Sequence, residues 1–235
     1  MEFETPLLAG TLLRRYKRFL ADIELADGSV ITAHTPNTGS MLGCAEPGSR
    51  VWLRAVDNPA RKYPHAWELV ENHAGVMIGI NTGVVNRLVG EAVYAGVVTE
   101  LQGYATLRQE VRYGAENSRI DLLLEAAGRP ACYVEIKNVT AVDAGGSAFF
   151  PDAVSARGSK HLRELMQVAA QGARGVIFFC VQRADAAAVR PADEIDPLYG
   201  RTLRAALAAG VEAVAYRATV TTQAVVLDTR LPVQV

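Results

Sequence analysis

Three cysteines in 235 residues, Cys44, Cys132 and Cys180, stand far apart and form no CxxC pair. A scattered, odd set excludes a disulfide framework and a cysteine-built zinc site, and it fits a reducing interior. Net charge is equally scarce: 24 Lys and Arg against 25 Asp and Glu leave −1. Nothing at whole-chain level therefore advertises a polyanionic partner, which would have to meet a local basic surface. No apolar run is long enough to cross a bilayer, and Val176 to Val181 suits a buried strand. Arg14, Arg15, Lys17 and Arg18 interrupt any signal-peptide core, so the expectation is a cytoplasmic protein with no membrane partner. A sugar-kinase phosphate loop and a nicotinamide fingerprint are also missing, which ranks a sugar-metabolising enzyme last.

What is present is a globular composition, 50% apolar and 21% charged, with length for one large domain or two modest ones. Residues 1–81 read as short strands near Gly10 to Tyr16, Phe19 to Leu25, Val30 to His34, Arg50 to Val56, Trp67 to Glu71 and Val76 to Ile80. Asp27-Gly28, Glu46-Pro47-Gly48 and Asp57-Asn58-Pro59 supply turns between them. Strands without a long helix suggest an OB-like β-barrel. Residues 82–235 change texture. Helical spacing runs from Thr82 to Ala95 and from Ser159, each read as an N-cap, and again from Pro197 to Ala209. Strands are expected near Leu107 to Tyr113, Ile120 to Leu124, Cys132 to Lys137, Gly175 to Val181 and Val211 to Ala215. Mixed elements of this kind predict an α/β domain with helices packed on a sheet.

The most informative stretch is Ser118 to Thr140. Two apolar runs flank the turn-like Ala126-Ala127-Gly128-Arg129-Pro130, which predicts a β-hairpin. Glu135 and Lys137 alternate with Val134 and Ile136, so they share one face, and Asp121 of the first run falls beside them in a regular register. Two carboxylates suit Mg²⁺ or Mn²⁺, and the lysine suits an attacking water or a charged phosphate. That set describes a metal-dependent phosphodiesterase. The ordinary alternative is a solvated charged strand face. Glu110, on the preceding strand, is a candidate third carboxylate, although Arg112 shares its face; Glu91 and Glu100 are further alternatives.

Basic residues cluster in three places. Arg157, Lys160, His161 and Arg163 open the helix after the hairpin, where N–H groups and the helix dipole favour phosphate. Gln167 follows on that helix as a candidate support for the site. In the first domain, Arg14, Arg15, Lys17 and Arg18 interleave with Tyr16 and Phe19, and Arg61 and Lys62 adjoin Tyr63 and Trp67. Cations with aromatic platforms are how small barrels hold nucleic-acid strands. The loop His34 to Gly39 reads as a binding loop, and Gly145 to Asp152 as a mobile flap.

The segments RYKRFLAD, HTPNTGSM, RKYPHAWEL, YGAENSRID, YVEIKNVT, FFPDAVSARGSKHLREL and GVIFF together resemble the sugar fermentation stimulation protein A (SfsA) family over essentially the whole chain. The resemblance implies an N-terminal OB-like barrel and a C-terminal domain similar to the PD-(D/E)xK nuclease fold. It also implies DNA as partner, with a link to regulation of sugar-utilisation genes. On the nuclease pattern Asp121 takes the first acidic position, and Glu135 and Lys137 take the ExK positions. Ile120 replaces the proline of that pattern. Two readings follow: a DNA phosphodiesterase using Mg²⁺ or Mn²⁺, and a non-catalytic DNA-binding regulator.

Overall fold

The computed structural model describes residues 1–58, 60–114 and 118–235. Pro59 of the third turn and the centre of YGAENSRID, 115–117, lie outside the described residues. Six strands build the first unit: β1 (Leu8–Tyr16), β2 (Leu20–Glu24), β3 (Val30–His34), β4 (Arg50–Ala55), β5 (His65–Glu71) and β6 (Met77–Gly79). They are ordered β3-β2-β1-β4-β5-β6, and His34 of β3 also bridges Ala66 of β5, so β1 to β5 close into a barrel. Closure removes the exposed edges that a six-stranded ribbon would present. Alternating residues Leu12, Ala21, Ile23, Val51, Leu53, Trp67 and Val70 fill the interior.

The second unit begins with a single 3₁₀ turn, Thr82–Val84, and then α1 (Val85–Tyr94). The Asn81 side chain accepts from the Gly83 N–H, so Asn81 caps this end in place of the expected Thr82. After α1 come β7 (Thr106–Tyr113), β8 (Ser118–Glu125), β9 (Cys132–Val139), β10 (Ser147–Phe150) and α2 (Ala156–Ala170). The chain ends with β11 (Arg174–Val181), β12 (Ala188–Pro191), α3 (Pro197–Ala208), β13 (Glu212–Val220) and β14 (Val225–Leu231). The main sheet is mixed, ordered β14-β13-β11-β9-β8-β7, with β9, β11 and β13 parallel.

One sheet face packs Leu122, Val134, Ile136, Val176 and Phe178 against Leu88, Val89 and Ala92 of α1. The other packs Leu123, Ile177 and Phe179 against Leu162 and Leu165 of α2 and Leu203 of α3. Cys132 and Cys180 are small residues of the first layer. Helix α2 starts four residues earlier than Ser159 predicts: Ser155 is the cap, accepting from the Gly158 N–H, and Ser159 is buried inside the helix. The expected flap at Gly145 to Asp152 is partly a strand, since β10 pairs in parallel with β12 along Ser147–Phe150. Backbone pairing that spans the whole strand ties the segment down.

The two units are joined by more than the chain. Asp152 accepts from the Ser40 hydroxyl at 2.7 Å and from the Met41 N–H at 3.2 Å. Thr82 donates its hydroxyl to the Pro36 carbonyl at 2.6 Å, and the Gly79 N–H donates to the Gln182 carbonyl at 2.9 Å. These bonds set the His34 to Gly39 loop of the barrel over the C-terminal ends of β9 and β10.

Candidate active site

Beyond Leu122, opposite Val134, the ladder between β8 and β9 stops, while β9 stays paired with β11 as far as Val139. The strands fork at Asp121. Its Oδ2 accepts from the Ile136 N–H at 2.7 Å, replacing the backbone partner that β8 no longer supplies. The side-chain alternation breaks at the same place, because Ile120 and Leu123 both pack on the α2 face while Leu122 and Leu124 face α1. Regular register alone would have put Asp121 flat beside Glu135; the fork puts its carboxylate in the cleft.

Glu135 and Lys137 do share the face turned to α2, and both are buried. Lys137 donates to Glu135 Oε1 at 2.8 Å, and the His161 ring contacts the same oxygen through Nδ1. Arg157, one turn before His161, donates Nε–H to His161 Nε2 at 3.2 Å. With Nε2 accepting, this network assigns the ring proton to Nδ1, directed at Glu135. Glu135 Oε2 is buried and has no hydrogen-bond partner among the described residues.

Electrostatics separate the two carboxylates. Burial, and then the charge of Glu135, pushes the Asp121 carboxyl up to about 6. Burial acts upward on Glu135 as well, but the His161 hydrogen bond and the Lys137 charge outweigh it and hold that carboxyl below its usual value. Two carboxylates driven apart in a cleft are a recognised mark of a functional site.

Glu110 lies opposite Asp121, since Gln109 pairs with Leu122 and Val111 with Ile120. Its φ of 55° is left-handed, an unfavourable conformation for a residue with a Cβ. Asn86 at the start of α1 bridges the two acids, donating to Glu110 Oε1 at 2.9 Å and to Asp121 Oδ1 at 3.3 Å. Glu110 thus bonds Asn86 rather than the expected Arg112. Glu91 and Glu100 are committed elsewhere: Glu91 pairs with Arg87 and the N-terminal ammonium, and Glu100 pairs with Arg230.

Among the described residues, no three His, Cys, Asp or Glu side chains form a ready metal cluster. Mg²⁺ and Mn²⁺ need no such cage, because they bind through one or two carboxylates and keep several waters. The hard oxygens of Asp121 and the unpartnered Oε2 of Glu135 fit such an ion.

The predicted basic residues are placed very differently from one another. His161 is buried against Glu135 rather than presented to solvent, and Arg15 donates to the carbonyls of Arg18, Asn37 and Gly39. Arg14 pairs with Asp22 at 2.8 Å and lies over the Tyr16 ring. Lys17 and Arg18 sit exposed at the tip of the β1–β2 hairpin with positive φ, and Arg61 and Lys62 are exposed on the next rim loop. Arg157 is exposed at the mouth of the cleft, and Lys160 on the same helix is half-buried. A cavity of about 390 Å³ opens between the units, lined by Asn37, Thr38 and Gly39 of the barrel and by Lys137, Asp152 and Arg157.

Asn86, Glu164 and Tyr113 join this neighbourhood without having been singled out from the sequence. An asparagine that starts a helix and a glutamate within HLREL carry no local signal of a shared cleft. Gln167, picked as a support, is exposed and lines a separate cavity with Tyr113 and Glu164.

The model for the SfsA N-terminal OB domain matches residues 13–80, and the sugar fermentation stimulation protein RE domain matches 83–224. The chain belongs to the SfsA family. A sugar fermentation stimulation protein homolog of Geobacter metallireducens is 62% identical over 99% of both chains, and one of Thioalkalivibrio sulfidiphilus is 59% identical over 99% of this chain and 98% of its own. The solved structure of Pyrococcus furiosus SfsA in complex with Ca²⁺ superposes with a TM-score of 0.88. It is 26% identical and covers 100% of this chain and 98% of that one. The OB barrel and the nuclease-like α/β domain expected of the family are therefore both present.

Proposed function

We propose that this SfsA protein is a DNA-binding phosphodiesterase that uses a divalent cation, Mg²⁺ or Mn²⁺, at Asp121 and Glu135. One observation carries the reading: a forked strand pair holds a half-buried and a fully buried carboxylate, the latter with an unpartnered oxygen, beside a buried lysine. Simple binding of a polyanion gives no reason to bury negative charge at its contact surface, whereas a hard cation does. The Pyrococcus furiosus relative was solved in complex with Ca²⁺, another hard, oxygen-seeking ion. A bound cation would polarise the phosphate and acidify a water.

The chain's own groups divide the remaining work. Lys137, whose ammonium lies 2.8 Å from Glu135 Oε1, offsets charge developing on the phosphate. His161, held in one tautomer by Arg157, keeps Glu135 ionised and oriented. Exposed Arg157, with Lys160 nearby, attracts the phosphate backbone at the N-terminal end of α2. Arg61, Lys62, Lys17 and Arg18 extend that surface onto the barrel rim.

A second reading is non-catalytic DNA binding in the regulation of sugar-utilisation genes. The ion pair between Lys137 and Glu135 favours it, because it occupies the lysine in the absence of substrate. Cleavage of labelled single- and double-stranded DNA with Mg²⁺ or Mn²⁺, beside a Lys137→Ala protein, separates the two. Metal-dependent cutting by the parent alone establishes the phosphodiesterase. Tight binding without cutting, unchanged by the substitution, leaves the regulator.

A further inference from the structure

Helix α2 carries a second buried acid that this function does not use. Glu164 is 1% exposed, and neither carboxylate oxygen has a hydrogen-bond partner among the described residues. It lies three residues beyond His161, so the two project from the same side of the helix, toward the sheet face that bears Glu135. The Tyr113 hydroxyl is buried and unpartnered as well, and burial followed by the charges of Glu135, Glu164 and Asp121 raises its pKa. Tyr113 therefore stands within the field of all three acids and keeps its proton.

The space around Glu164 is kept open. It lines a cavity of about 240 Å³ with Tyr113, Gly114, Tyr133, Gln167, Val168 and Gln171. A Cβ added to Gly114 would stand 2.7 Å from Glu164 Oε1, and Gly114 has a φ of 71°, so glycine alone suits the position. The nearest buried cation on this face, Lys137, is committed to Glu135. A carboxylate sealed from water with no donor is held by a proton or by a cation that reaches it. The donors gathered here are all oxygens, which select Mg²⁺, Mn²⁺ or Ca²⁺ over softer ions.

We infer that Glu164 anchors a second divalent-cation site, in the cavity it lines with Tyr113 and separate from the position held by Asp121. The inference rests on reading Asp121 and Glu135 as a metal site. Tyr113, whose buried hydroxyl is unpartnered on the same cavity, would donate to a water of such an ion.

The test is a count of bound Mn²⁺ by electron paramagnetic resonance on the full chain, with Glu164→Gln and Asp121→Asn proteins beside it. The expected result is about two ions for the parent and about one for each variant. A single ion in the parent, lost in Asp121→Asn and retained in Glu164→Gln, overturns the inference and leaves the proposed function standing. No ion in any protein overturns both. Should Glu164→Gln fail to fold, anomalous scattering from a Mn²⁺-soaked crystal of the parent decides. A peak about 2–2.4 Å from the Glu164 carboxylate supports the site, and its absence beside a filled Asp121 position refutes it.

Discussion

The β1–β2 hairpin of the barrel and the β8–β9–α2 face of the second unit both concentrate charge, but they hold it in opposite ways. On the hairpin each charge is exposed or answered: Arg14 lies against Asp22, Arg15 reaches three carbonyls, and Lys17 and Arg18 stand in solvent. On the second face, Asp121, Glu135, Lys137, His161 and Glu164 are wholly or largely withdrawn from water, and three carboxylate oxygens lack partners among the described residues. Exposed ion pairs contribute about 0.2–1 kcal/mol, so the hairpin is inexpensive to keep and inexpensive to lose. Buried, unmatched charge costs several kcal/mol. A fold that tolerates it in one cleft and avoids it elsewhere marks where binding must supply the missing partner.

Substitutions that break this contrast should differ in size accordingly. Lys137→Ala is expected to lower metal-dependent DNA cleavage by about 100-fold or more while the protein stays folded, read by single-turnover assays and circular dichroism. An activity within a few fold of the parent would return the buried lysine to a structural role.

Asp121→Asn should move stability and ion binding in opposite directions. With its carboxyl pushed up to about 6, Asp121 holds a proton in the folded chain that it releases in the unfolded one between about pH 4 and 6. The folded state binds more protons there, so this residue makes stability fall as pH rises through that window. The variant is therefore expected to be about 2–3 kcal/mol more stable than the parent near pH 7.5 in metal-free buffer. The gain should fade toward pH 4, and divalent-ion binding should be lost, both measured by thermal melting with and without Mn²⁺. A variant less stable than its parent at both pH values would refute the assignment.

On the barrel side, replacing Arg61 and Lys62 by alanine should weaken DNA binding uniformly across sequences. It should also flatten the dependence of log affinity on log salt by about one unit per lost phosphate contact. An unchanged slope would remove this rim from the DNA surface. Smallest of all, Arg14→Ala should leave the thermal unfolding midpoint nearly unchanged, since the arginine of this ion pair is exposed to solvent; a clear drop would show the pair to be structural.

Much of this was legible in the chain itself. Period-two alternation in VEIK put Glu135 and Lys137 on one face, and the turn at Gly128 to Pro130 delimited the hairpin. Leu162, Leu165, Met166 and Ala169 marked the apolar stripe of α2, of which the two leucines are buried and the other two half-buried, although the cap is Ser155 rather than Ser159, two serines being equally plausible caps. Strands β10, β12 and β14 escaped notice, because the first two have only four residues each and owe their pairing to distant partners.

Local pattern therefore determined which residue types line each strand and helix, since side-chain direction follows from a backbone period of 2 or 3.6. It determined the barrel and the α/β unit, because runs of strands and alternating elements each have few ways to bury their apolar faces. Only the tertiary structure decided that β8 and β9 fork at Asp121, that Asn86 bridges it to Glu110, and that His161 turns inward to Glu135. It alone left Glu164 sealed and unmatched beside them. Those outcomes depend on where a ladder ends and which helix covers it. Contacts between residues 15 to 35 positions apart set both, and no local period encodes them.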